Sequence, residues 1–464
     1  MSEDSAPAER TQALSGYLPA RSASHELWLL AVLAGPVAVA RVSNLTMGLV
    51  DTWMVGRLGA AQLAGVALAD ACFFTFLVFT MGTVRALDPL ISQAHGAGDA
   101  ERCASNWRAG LLLGLLLAIP LSLLLLFGME PILAALGQDP EVVLHAKSYL
   151  TPIAFGVPAQ LFYVACACLV QSLGDTRPPM VIALVANVLN VFLDYALIFG
   201  KFGFPELGVV GSGVASSSCR WFMCLALFAW ILFGSRYAPY RIRVPVSAKL
   251  LGQLLRLGLP IGLSQAFEVG AFAAASIFLG WIGREALAAH QIAIKMAATA
   301  FMVAVAIGVA PSIRVGNGIG AEDPEGAQRS AWTGVGLGLC VMSLTGLVFW
   351  QGGHWIVSSF SSDPQVIAIG TGLMAVAAAF QLTDGVQAIA SGALRGAGDT
   401  LRPMLAQITA HWAVGIPCGY FFAFTLGWGP NGVWWALALG LTLAAILLLI
   451  PMSRIRSRAA IKRD

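Results

Sequence analysis

Charge is scarce in this sequence. Asp, Glu, Lys and Arg together make up 11% of 464 residues, against roughly 25% in a soluble globular protein, which excludes an ordinary water-soluble enzyme. Strict alternation of apolar and polar residues is also missing: the run from Leu111 to Leu126 is apolar where a transmembrane β-strand would alternate, so a membrane barrel is excluded as well. No Lys/Arg run with interleaved aromatics offers a grip on nucleic acid. No His-Glu-x-x-His set or nucleophile with its base stands in an apolar stretch, and no filter-like segment suggests a passive channel. The eight cysteines fall mostly inside apolar stretches. The closest pair, Cys166 and Cys168, would point about 200° apart on a helix, so all are expected to be small buried apolar residues with no disulfide or metal. The first 25 residues are polar and rich in Ser, Ala and Pro, unlike a signal peptide.

What the chain does have is 58% apolar residues, enough for about thirteen bilayer-crossing helices of some 20 residues each. Apolar stretches cut by Gly, Pro and charge place about twelve spans near 27–53, 62–84, 104–127, 143–169, 179–199, 209–233, 254–281, 286–310, 330–351, 365–392, 403–425 and 431–452. Alternate inter-span segments then collect about twenty Lys and Arg on one side and only Arg57, Lys147, Lys201 and Arg284 on the other. By the positive-inside rule both termini and the linker are cytoplasmic. The expected organisation is a polar tail (1–26), a bundle of six helices (27–233), a linker (234–253), a second six-helix bundle (254–452) and a basic tail (453–464).

The two halves repeat at a fixed offset of 224 residues. Gly96-Ala97-x-Asp99 returns as Gly320-Ala321-x-Asp323, and Gly174-Asp175-Thr176-x-x-Pro179-Met180 as Gly398-Asp399-Thr400-x-x-Pro403-Met404. A single register held from Pro36 to Met180 indicates a duplication. With six spans per unit the repeats run parallel, related by an axis along the membrane normal, the build of carriers that bind substrate between or within bundles. The fold class is therefore an all-α membrane protein of about twelve helices in two parallel-repeat six-helix bundles. A monomer is expected, since Gly334, Gly336 and Gly338 serve packing within one chain as well as between chains.

Ionisable residues inside spans are costly and mark function. Asp51 shares a helix face with Met47 and Asn44; Asn190 and Asp194, four apart, stack on another face. Glu268 shares a face with Ser264, Gln265 and Phe272, while Asp384 lies between Gln381 and Gln387 with Phe380 a turn below. Each stripe is expected to line a wet cavity. Against this stands the reading that these carboxylates pair with the intramembrane cations Arg41, Arg220 and Lys295 to hold the bundle together. Asp70 is open between structural and functional roles; His290 and Gln291 begin the eighth span, and His411 and Trp412 read as packed core. Aromatics such as Phe272 and Phe380 near carboxylates suit a bulky cation.

These segments resemble the multidrug and toxic compound extrusion family, NorM-like branch. The resemblance rests on Val50-Asp51-Thr52, Ser92-Gln93-Ala94-His95-Gly96-Ala97-Gly98, Gly200 to Gly208, Phe267-Glu268-Val269, Ala289-His290-Gln291, Ser312 to Gly316, Asp384-Gly385-Val386-Gln387 and Gly392 to Gly396, in order over about residues 26–452. It implies an antiporter of the bacterial inner membrane that expels organic cations and amphipathic drugs as Na+ or H+ flows in, with no other cofactor. It also implies an amino-terminal-lobe site at Asp51, Asn190 and Asp194 and a carboxy-terminal-lobe cation site, which could hold Na+, at Glu268 and Asp384. Two positions depart from the pattern: Asp194 stands where NorM-like relatives often carry Asn, and Phe380 where they often carry Tyr. A buried carboxyl can exchange a proton as well as hold sodium, so both ions stay open. A flippase for lipids or lipid-linked sugars is the alternative, since Arg41, Arg220 and Lys295 could face a phosphate.

Overall fold

The computed structural model describes residues 22–242 and 245–456. Most of the expected N-terminal tail, the last eight residues of the basic tail and two linker residues lie outside that range. Among the described residues, eleven helices are long and apolar enough to cross a bilayer: α1 Ala23–Val55, α2 Ala60–Gly96 (with a turn at 85–86), α3 Ala100–Ala135 (with π turns at Leu124–Gly128), α4 Pro140–Ser172, α5 Arg177–Phe199, α6 Val209–Phe233, α7 Ala248–Ile282, α8 Arg284–Gly320, α9 Pro324–Phe360, α10 Pro364–Gly396 and α12 Gly429–Met452. The twelfth crossing, α11 (401–425), is helical throughout but contains two stretches of π turns, Ile408–Gly415 and Phe421–Thr425. No strand occurs among the described residues, so the all-α architecture of about twelve spans is as expected. Phe233, Trp350 and Trp355 are 86%, 69% and 74% exposed, a condition that water would penalise and lipid does not. Five cysteines are buried, but Cys72 and Cys418 are only half-buried and Cys340 is exposed, which corrects the expectation that all eight are interior.

The duplication is written into helix starts. α2, α3, α4 and α5 begin 224 residues before α8, α9, α10 and α11 respectively, because the repeated motifs are turn-and-cap signals. Asp99 and Asp323 accept hydrogen bonds from Arg102 N and Gly326 N, each at 2.8 Å. Asp139 and Asp363 do the same for Glu141 N and Gln365 N at 2.8 Å. Each satisfies a donor that the helix itself leaves orphaned. The register is lost only after α5, where residues 200–208 join α5 to α6 but 426–428 join α11 to α12.

The chain forms two compact units that do not follow the repeat boundary: 1–38, 88–98 and 263–464 in one, 39–87 and 99–262 in the other. The first part of α1 and the first part of α7 are exchanged. In the first unit Leu30, Leu33, Ala34 and Val37 of α1 pack with Ile307, Ala306, Val309 and Ala310 of α8. In the second, a Cβ on Gly258 or Gly262 of α7 would lie 2.2 or 2.4 Å from the carbonyl oxygens of Thr83 and Phe79 in α2, so only glycine admits that approach. The changeover falls two residues beyond Pro36 and Pro260, where proline lacks the N–H its helix needs and crowds the carbonyl four residues before it.

Within the first unit the end of α2 crosses α8 in a pseudo-symmetric contact. A Cβ at Gly96 would meet Asn317 O at 2.0 Å and one at Gly320 would meet Gln93 O at 1.9 Å, while Gln93 Nε2 donates to Gly396 O at 2.9 Å. Gly334 and Gly338 likewise meet Pro311 and Ile389 inside the same chain. The start of α1 is pinned by an ion pair that the expected tail 1–26 did not include in a helix. Glu26, 1% exposed, takes Arg314 Nη2 at 2.7 Å and Nε at 3.0 Å and also accepts from Ser330 Oγ. This two-point grip explains why α1 starts at Ala23. The linker is tied to the second unit: Tyr237 donates to Asp175 Oδ2 at 2.6 Å and Arg236 Nη2 to Leu173 O at 2.8 Å. Burial, then the Asp175 carboxylate, holds the Tyr237 hydroxyl above its ordinary range.

Glu26→Ala removes the carboxylate that grips the buried Arg314 guanidinium and is expected to cost about 3–5 kcal/mol, read as a large fall in thermal midpoint in detergent. A smaller effect of opposite sign is expected at Glu322, whose φ of 59° is the left-handed conformation of its repeat mate Gly98 at 72°. Glu322→Gly relieves about 1 kcal/mol of backbone strain, and a lowered midpoint would contradict that reading.

Candidate functional site

Each unit holds a buried polar cluster around the intramembrane carboxylates expected from the sequence. In the second unit α5 presents a stripe of Asn187, Asn190 and Asp194, three and then four residues apart, toward α1. Asn187 Nδ2 donates to Ser43 O at 2.7 Å and to Ser43 Oγ, which fixes how α1 lies on α5. Two turns further along α1, Asp51 Oδ1 accepts from Asn190 Nδ2 at 3.0 Å and Asp51 Oδ2 accepts from Ser216 Oγ of α6 at 2.7 Å. Asp194 lies beside Asp51 and Asn190. It is wholly buried, and neither of its oxygens accepts a hydrogen bond among the described residues. Asn190 Oδ1 is also without a donor. Two carboxylates, with both Asp194 oxygens and the amide oxygen of Asn190 lacking a donor, cannot rest together as two anions. Such a constellation is complete only with a proton between the carboxyls or a small cation against them.

In the first unit the cluster is built by α7, α10 and α11. Gln387 Nε2 donates to Glu268 Oε1 at 3.1 Å, Gln407 of α11 lies alongside Glu268, and Arg395 acts on it electrostatically. Asp384, 5% exposed, feels the charge of Glu268. Gln381 is fully buried with neither end of its amide bonded, and the oxygens of Gln387 and Gln407 also lack a donor. Orphaned amide oxygens beside two carboxyls are hard-cation ligands, so Glu268 and Asp384 fit a Na+ ion with Gln387 and Gln407 in support. Gln407 immediately precedes the π turns of α11, a distortion frequent at functional sites. There His411 Nδ1 lies 3.3 Å from Gln407 O, and Trp412 Nε1 donates to Phe267 O at 2.9 Å, one residue before Glu268. Trp412 is 41% exposed, which corrects its expected place in the core; His411 is buried as expected.

The remaining expected residues are not gathered into these clusters. Asn44 is exposed and Met47 half-buried, although both stand on the Asp51 side of α1. Gln265 and Phe272 are half-buried, and Gln291 with Lys295 and Thr299 forms an exposed stripe of α8. Phe380 is buried against Trp434 at 5.9 Å between ring centroids. Trp434 in turn donates to His290 Nδ1 at 3.2 Å, with His290 Nε2 2.8 Å from Ser276 Oγ. Asp70 accepts from Tyr149 at 3.0 Å, and the Arg220 guanidinium sits 5.2 Å over the Phe73 ring. Asp51 is therefore held by neutral donors, and Lys295 is exposed, so neither supports the reading of these groups as structural ion pairs. Sequence reasoning missed Ser216, Asn187 and Gln407. Only Asn187 carried a signal, its spacing of three from Asn190.

Comparison with known proteins agrees with this architecture. The family model described as MatE matches residues 36–196 and again 260–421, once per repeat. A probable multidrug resistance protein NorM of Burkholderia mallei is 34% identical over 93% of this chain and 93% of its own length. The multidrug resistance protein PmpM of Pseudomonas aeruginosa is 36% identical over 92% of this chain and 91% of its own. Among solved structures, the crystal structure of the eukaryotic MATE transporter AtDTX14 superposes with a TM-score of 0.86 at 22% identity, covering 95% of this chain and 99% of that one.

Proposed function

Because the chain belongs to the MatE family, as both its halves and its relatives at 34–36% identity show, we propose that it is a multidrug efflux antiporter of a bacterial inner membrane. It would export organic cations and amphipathic drugs, with both termini cytoplasmic and the monomer as the working unit. It is a transporter, not an enzyme. The observation that carries the coupling mechanism is the Asp51–Asp194 pair, in which Asp51 is held by neutral donors and both Asp194 oxygens lack one. One proton shared by the pair removes the repulsion, and a cationic drug in the same lobe removes it equally well, so the two occupants exclude one another. Facing outward, the pair takes a proton and lets the drug go; facing inward, it loses the proton and binds the next drug. Transport needs this difference in affinity between states, since a ligand that binds both equally shifts nothing. The groups that face the pair are Asn190 and Ser216, with Asp70 and Arg220 further along the same unit.

Glu268 and Asp384 form a second cation-binding cluster, with Gln387 and Gln407 in reach of Glu268. Drug contacts fall to Met47, Asn44, Gln265, Phe272, Gln291, Phe380 and Gln381, a mixture of amide, thioether and aromatic groups suited to flat cations.

Efflux of a fluorescent organic cation from proteoliposomes tests the reading, with pH and sodium gradients imposed separately. A pH gradient alone is expected to drive export, and Asp194→Asn or Asp51→Asn to reduce it to the level of protein-free vesicles. Export driven by sodium alone and unchanged in Asp194→Asn would transfer coupling to Glu268 and Asp384. No export under either gradient would make the lipid flippase the better reading.

A further inference from the structure

On the first unit, between the start of α11 and the end of α12, lies a groove of about 400 Å³ that takes no part in the polar clusters. It is lined by Leu405, Thr409, Leu447 and Ile450 together with two arginines, Arg402 and Arg454. Leu405 and Ile450 are 50% and 52% exposed, and Leu401 and Ile446 continue the same apolar strip. No carboxylate lines the groove. Asp399 pairs with Arg402 Nη1 at 2.8 Å and so engages one edge of that guanidinium; a guanidinium carries five N–H donors. The chain beyond Arg454 adds Arg456, Arg458, Lys462 and Arg463. Arg456 is already paired with Glu325 at 2.7 Å.

Two arginines lining an apolar groove whose walls are half-exposed match a molecule with an anionic head and a hydrocarbon tail. We propose that this groove binds an anionic phospholipid of the leaflet that faces the chain's basic side. The two guanidinium groups take the phosphate, and an acyl chain lies along Leu405, Leu447 and Ile450. Charge complementarity selects this occupant: a zwitterionic lipid brings its own cation to the arginines, and a free phosphate leaves the apolar walls uncovered. Basic pockets between spans on the cytoplasmic side are suited to such head groups, each arginine contributing about fivefold in affinity. The inference stands on the positive side of the membrane being the cytoplasmic one and does not depend on the coupling ion.

The test uses the full chain, stripped of lipid in detergent, with phosphatidylglycerol, phosphatidylcholine and inorganic phosphate as probes. Retention is followed by native mass spectrometry and stability by thermal unfolding. Wild type is expected to hold phosphatidylglycerol in preference to phosphatidylcholine and to gain thermal stability from it alone. Arg402→Gln/Arg454→Gln is expected to hold it about thirtyfold less tightly, the product of two such contributions. Should that variant not be recovered folded, Leu447→Trp fills the groove and leaves both arginines in place, with a comparable loss expected. Equal retention of the two lipids by wild type overturns the proposal. So does unchanged retention of phosphatidylglycerol by either variant. Stabilisation by inorganic phosphate as large as that by the lipid would also overturn it, by assigning the arginines to a phosphate site.

Discussion

A carboxyl group placed inside a membrane has no water to hold its charge, and the protein must supply whatever replaces that water. Asp51 is supplied with Asn190 and Ser216; Asp194, its neighbour, accepts no hydrogen bond among the described residues. The arrangement is therefore satisfied on one side and left open on the other, and the open side defines what the site must bind. Helix packing around it follows from that need. Asn187 locks α1 to α5 through Ser43, which sets Asp51 opposite Asp194 with a rigid frame in place of adaptable side chains. The second unit's cluster thus rests on three helices that have little freedom to relieve the conflict by moving.

The same logic explains why the frame is built with glycine and proline. Backbone contacts at Gly96, Gly320, Gly258 and Gly262 leave no room for a Cβ, and van der Waals contact at that distance is what holds helices together where the hydrophobic effect gives no help. Pro36 and Pro260 let α1 and α7 change partners part-way along, so that each compact unit owns the first turns of the other repeat's leading helix. Glu26, gripped by Arg314 and Ser330, anchors one of those exchanged pieces by a buried ion pair, an interaction sensitive to separation because neither charge has water to fall back on.

Much of this was legible in the sequence because membranes impose simple periodicities. Spans follow from length and hydropathy, and the 224-residue register foretells four helix starts because the repeated Asp99/Asp323 and Asp139/Asp363 are helix caps. Asp51, Asn190, Asp194, Glu268 and Asp384 stand out because charge inside a span is rare. What was not legible depends on which helices become neighbours. Ser216 and Gln407 look like ordinary polar residues until α6 and α11 bring them against carboxyls, and Asn44, two turns before Asp51 on the same face, is exposed. Glu26 precedes the first apolar run and so reads as tail; only its partner Arg314, 288 residues away, makes it part of α1. The π turns that present His411 and Trp412 leave no periodic trace, since one extra residue per turn resembles noise in an apolar run.

The account's central claim is that one exchangeable proton belongs to the Asp51–Asp194 pair and leaves when a cationic drug binds. The most direct measurement is proton release from purified protein in weakly buffered detergent on addition of tetraphenylphosphonium. Wild type is predicted to release protons on binding, and Asp194→Asn to bind without releasing any. Release of the same size from Asp194→Asn, or binding to wild type with no release, would contradict it.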